Sequence, residues 1–106
     1  MKLTKIDMKL GIEDGVQFSF HKSSLMQGAL MEWISPEYVE QLHKGGWNPY
    51  SQHLEKIGQE WHWIISIFDD EAYEQIYPNI IEKNEVYIRH DDIKIKCIRK
   101  GFFRNG

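Results

Sequence analysis

Apolar and polar residues alternate from the start of the chain, with Thr4, Ile6, Met8 and Leu10 set between Lys5, Asp7 and Lys9. A period of two predicts a strand with one buried face. Glu13-Asp14-Gly15 reads as a turn, and Val16, Phe18 and Phe20 then resume the period of two. The period changes at Ser24. Leu25, Met26, Ala29, Leu30, Trp33 and Ile34 make a broad apolar helix face, and Ser24-Leu25-Met26-Gln27 fits a capping box. Ser35-Pro36 restarts the chain as cap and first residue of a two-turn helix, with Val39 and Leu42 inward and Gly45 as a left-handed terminator.

Tyr50 to Leu54 reads as a short strand, and Trp61 to Phe68, aromatic and β-branched, as the clearest one. Asp69 or Asp70 caps a further helix bearing Ala72, Tyr73, Ile76, Tyr77 and Ile80, which Pro78 is expected to kink or split. Val86–Ile88 and Ile93–Ile98 end the pattern in β character, turning at Asp91-Asp92. The order is β, α with a short second helix, β, β, α, β. Its economical arrangement is an α+β, ferredoxin-like βαββαβ fold, a four-stranded antiparallel sheet with helices on one face. Residues 1–106 form a single domain by this reading, without repeats or linkers.

The third strand complicates this arrangement. Trp61, Trp63, Ile65 and Ile67 point one way, whereas Ile64 and Phe68 point the other with His62 and Ser66. Two apolar faces predict cover on both, so a second copy, a partner or a further domain is expected on the face without helices.

Composition narrows the class. The chain has 42% hydrophobic and 13% aromatic residues, as packed proteins do. A single cysteine, Cys97, excludes an intrachain disulfide and makes a cytoplasmic setting the expectation. No apolar run approaches the roughly 20 residues of a membrane span, so no membrane partner is expected. The net charge of −3 argues against broad nucleic-acid binding, but residues 93–106 carry Lys94, Lys96, Arg99, Lys100 and Arg104 with no acid. That local charge of +5 leaves −8 for residues 1–92.

His43 is the leading candidate for chemistry. It lies in the last turn of the short helix, before Gly45-Gly46-Trp47-Asn48-Pro49-Tyr50. An imidazole presented there could move a proton while a ribose 2′-hydroxyl attacks the adjacent phosphate, a reaction that needs no metal or other cofactor. Lys44, Lys22, Lys94, Lys96, Arg99 and Lys100 are the candidate phosphate contacts; Tyr50, Trp47 and Phe102-Phe103 could stack bases if exposed. His21, before the first helix, is a second histidine that could reach the same end. His62 reads as a strand residue or partner contact. No CxxC or HExxH motif and no i, i+4 histidine pair exists, so no metal site is expected.

Taken in order, the first strand, Phe20-His21, the Gln27-Gly28-Ala29-Leu30 helix, Leu42-His43 and Pro49-Tyr50-Ser51 before Leu54 are similar to the N-terminal half of a known family. The chain resembles the CRISPR-associated endoribonucleases that process repeat RNA, within the RAMP superfamily, and the likeness spans nearly all of it. The resemblance implies tandem ferredoxin-like domains, so this chain would be the N-terminal half of a two-domain protein. It also implies metal-independent cleavage of CRISPR precursor RNA to a 2′,3′-cyclic phosphate and a 5′-hydroxyl. His43 would be the general acid/base, Lys44 its electrostatic support and His21 the second choice. The chain departs from the family at Met31-Glu32, where several members place a tyrosine, and Gly101 to Gly106 do not replace the glycine-rich loop of the second domain. Two alternatives stand beside cleavage: a non-catalytic RNA-binding or scaffold subunit of a CRISPR ribonucleoprotein, and a ferredoxin-like dimerisation module.

Overall fold

A computed structural model describes residues 3–46 and 48–105. The alternating N-terminal segment forms β1, Leu3–Gly11, with Thr4, Ile6, Met8 and Leu10 buried as the period of two requires. Glu13 to Val16 close a turn in which Gly15 takes φ 87°, a conformation that favours glycine. The expected extended stretch at 16–20 is not a strand. Residues 16–19 carry no regular structure, and Phe20–Lys22 form a single 3₁₀ turn capped by the Ser19 hydroxyl.

Helix α1 runs Ser23–Trp33 and α2 Pro36–Lys44. The capping box expected at Ser24 does not form, because the 3₁₀ turn feeds α1 directly through Lys22, which is itself helical. Ser35 caps α2 as expected, its hydroxyl accepting from the Tyr38 amide. Gly45 ends α2 at φ −71°, ψ 150°, an extended rather than left-handed exit. β2, Tyr50–Ile57, and β3, Glu60–Ile67, make a hairpin turning at Gly58, φ 63°. Asp69 caps α3, Asp70–Ile81, which continues unbroken through Pro78. β4, Glu85–Ile88, and β5, Ile93–Asn105, complete the chain.

The expected four-stranded ferredoxin-like βαββαβ arrangement is not what forms. Among the described residues the sheet is antiparallel, curled and five-stranded, in the order β2-β3-β1-β5-β4, with three α-helices. The difference arises at Arg89–Asp92. There Asp92 adopts φ 52° and reverses the chain, so both terminal β segments enter the sheet as a hairpin. The second segment then extends along β1 as far as Asn105. Ile98 is the extra residue of a β-bulge, since Lys9 opposes Arg99 and Leu10 opposes Cys97.

One sheet face packs against the helices. Ile6, Met8, Leu10, Trp63, Ile65, Ile67 and Ile95 meet Met26, Leu30, Ala72, Ile76 and Ile80 in a continuous core. The Trp63 indole donates to Gln52 and lies edge-on to Trp33 at 5.8 Å. The other face presents Lys5, Asp7, Lys9, His62, Ile64, Arg99, Gly101 and Phe103, as the paired registers require. Ile64 is 1% and His62 7% exposed on that face without a second chain. Apolar residues on both sides of β3 therefore find cover within this one curled sheet, with His53 and Asp7 opposite Ile64.

Candidate functional site

Val39 and Leu42 pack α2 onto the core and thereby turn His43 and Lys44 to solvent. His43 has no hydrogen bond or ion pair among the described residues, whereas Lys44 pairs with Glu40 at 3.1 Å along the helix. Both members of that pair are exposed, which makes the contact weak and exchangeable. Acids crowd this end. A groove of about 510 Å³ is lined by Glu37, Glu40, Gln41, Lys44 and Gly45. A second cleft, of about 210 Å³, adds Tyr38, Asp69 and Glu71. The Tyr38 phenol is pushed up to about 12, first by burial and then by the Glu71 and Asp69 carboxylates.

His21 lies elsewhere. Its neighbour Phe20 packs edge-on against Trp61 at 4.9 Å, at the far end of the β2–β3 hairpin. The α2 terminus instead adjoins Pro49, whose carbonyl accepts from Phe68. The two ends of that hairpin are separated by roughly 20 Å of strand, so the two candidate histidines do not share a site. Lys22, next to His21, is held by an ion pair to Asp91 in the β4–β5 turn. That ammonium, with His90 behind it, holds the Asp91 carboxyl below the usual range.

Tyr50 is a core residue. It is 7% exposed, its hydroxyl accepts from the Gln27 amide, and burial raises its pKa. It has no free face on which a base could stack. Trp47 lies outside the described residues. The basic end of the chain divides between two roles. Lys100 donates to the Ile81 carbonyl at 3.0 Å, closing the end of α3. Arg104 lies 3.9 Å from the Tyr73 ring centroid and 3.7 Å from Asp70, while Phe102 packs edge-on against Tyr77. These even-numbered side chains lash β5 to α3. Lys94, Lys96 and Arg99 are exposed and enter no ion pair among the described residues.

A second cluster was not expected. On the face away from the helices, the His62 Nδ1 proton is donated to Asp7 Oδ1 at 2.7 Å. Its Nε2 is buried 3.4 Å from Glu60 Oε2 and has no hydrogen-bond partner among the described residues. Lys9 binds Glu60 at 2.7 Å and holds that carboxyl below its ordinary value. The charge alternation Lys5-Asp7-Lys9 was visible in the sequence, but the register that sets Lys9 against His62 was not. Among the described residues no group of three or more histidines, cysteines and acids is placed to hold a metal ion, and no helix is long and apolar enough to cross a membrane.

Comparison with known proteins adds no relative: no family model matches the chain, and no curated protein matches it.

Proposed function

We propose that this chain is the RNA-cleaving part of a metal-independent endoribonuclease acting on CRISPR repeat RNA. The observation that carries the reading is His43, an exposed imidazole with no partner among the described residues, at the end of α2 and beside the Gly45-Gly46 loop. In the reaction the ribose 2′-oxygen attacks the adjacent phosphorus and the bond to the 5′-oxygen breaks. The 2′-hydroxyl loses its proton and the departing 5′-oxygen gains one, leaving a 2′,3′-cyclic phosphate and a 5′-hydroxyl. His43 serves one of these transfers, since an imidazole can either accept or give a proton. Lys44 offers charge to the phosphate once its exposed contact with Glu40 exchanges. The acids around α2 call for cations from elsewhere to hold the RNA, from a second domain or copy or from the open sheet face.

That requirement favours one other reading, an RNA-binding or scaffold subunit without cleavage, because the unpaired Lys94, Lys96 and Arg99 lie on β5 rather than beside His43. Cleavage of repeat RNA in EDTA, comparing the parent with His43→Ala, separates the two. Loss of one proton-transfer group lowers the rate by about 10²–10⁴-fold. Equal cleavage by both proteins removes His43 from the mechanism, and binding without cleavage by either supports the scaffold.

A further inference from the structure

The strongest unassigned feature is a cavity of about 210 Å³ on the open sheet face, between β1, β3 and β5. Asp7, Lys9, His62, Arg99, Gly101 and Phe103 line it. Gly101 provides a floor without a side chain: a Cβ there would meet the Phe103 ring at 3.4 Å. Phe103 is 61% exposed and forms an aromatic wall. The His62 side chain is only 9% exposed, and its Nε2 lacks a hydrogen-bond partner. Arg99 is exposed and in no ion pair among the described residues. The cavity is smaller than the roughly 300 Å³ of sites that enclose a whole drug-sized ligand. It has room for one part of a larger molecule.

Charge identifies that molecule. Lys5 on β1, Arg99, Lys96 and Lys94 on β5, and Lys9 at the cavity share this face; of the acids there, Asp7 holds His62, Glu60 holds Lys9, Glu85 on β4 opposes Lys96, and Glu55 lies on β2. A protein packed here would have to desolvate Lys5, Lys94 and Arg99, none of which enters an ion pair among the described residues, at a cost only matched acids could offset. A flexible polyanion with stackable rings meets both requirements, with phosphates on the cations and a base against Phe103. The geometry points to a single-nucleotide subsite for single-stranded RNA, with Arg99 on the phosphate and Phe103 on the base. His62, held by Asp7, lines the cavity with its ring. This subsite rests on the RNA reading above and gives it a binding surface distinct from His43.

The test uses the His43→Ala chain, which keeps RNA intact, and a fluorescein-labelled twelve-nucleotide uridine RNA. Phe103→Ala is expected to weaken binding by about tenfold, the loss of one stacked base. Arg99→Gln should lower the slope of log affinity against log salt by about one, the loss of one phosphate contact. Both side chains are exposed, so melting temperatures should match the parent and folding cannot account for the change. Tight binding by the parent with unchanged affinity and slope in both variants overturns the subsite and leaves the nuclease reading standing. Failure of the parent to bind overturns both. A dimer in sedimentation that Phe103→Ala dissolves, with RNA affinity unaltered, overturns the subsite in favour of a second copy on this face.

Discussion

The two faces of the central strands show how one sheet can separate stability from recognition. On the helix side, Ile6, Met8, Trp63, Ile65 and Ile67 are 0–1% exposed and the few polar groups are satisfied, as Trp63 is by Gln52. On the other side the same strands carry Lys5, Lys9, Arg99 and Phe103 into solvent, with the Asp7–His62 pair set between them. Burial against helices supplies free energy in proportion to apolar area. The open face gives up that gain and keeps charge and an aromatic ring available. A residue's side of the strand therefore predicts which measurement its removal will change.

The largest contrast should come from Trp63→Ala, which removes a fully buried ring and its hydrogen bond. A loss of about 3–5 kcal/mol is expected from urea unfolding, against less than about 0.5 kcal/mol for Phe103→Ala. Similar losses for the two aromatics would mean that the open face is packed in solution and the asymmetry is false.

His62→Ala lies between those extremes. It leaves the Asp7 carboxylate without its 2.7 Å donor, at an expected cost of about 1–3 kcal/mol in the same measurement. Asp7 is partly solvated, which favours the low end of that range. A wild-type melting curve for His62→Ala would show that the pair contributes nothing to folding.

The smallest effect sharpens the helix side alone. Tyr38 and Tyr50 both ionise less readily in the folded chain, chiefly because burial disfavours the phenolate. Their contribution is fully present below the ordinary tyrosine value of about 10 and fades as pH rises through the folded values, about 12 for Tyr38. The urea midpoint should fall between pH 10 and 12, and Tyr38→Phe should flatten that fall. An equal fall in the Phe variant would assign it to other groups.

Local signals were legible where the backbone decides locally. The period of two placed β1, Ser35 and Asp69 capped the helices they precede, and alternation assigned both faces of β3. The sequence failed where a neighbour outweighed local preference. Ser24 looked like a cap, but a 3₁₀ turn held by Phe20 against Trp61 continues straight into α1. Pro78 falls within the final turn of α3, where the helix passes without breaking. Val86–Ile88 and Ile93–Ile98 were legible with their turn at Asp91-Asp92, but the four-stranded arrangement counted them as one strand where each enters the sheet separately. Of the candidate site, the exposure of His43 could be anticipated from Val39 and Leu42 facing inward. The burial of Tyr50, the lashing of Lys100 and Arg104 to α3, and the separation of His21 from His43 could not.

By itself, then, the order of residues determined the type of each α-helix and sheet strand, though not the 16–20 segment, and the accumulation of positive charge after Ile93, because these depend on periodicity and composition within one segment. Only tertiary structure decided which strands adjoin. That choice made five strands rather than four, covered Ile64 without a second chain, and brought Asp7, His62 and Phe103 together from positions 41 to 96 residues apart in sequence. Pairing register is set by long-range packing across the whole sheet, and no window of sequence contains it.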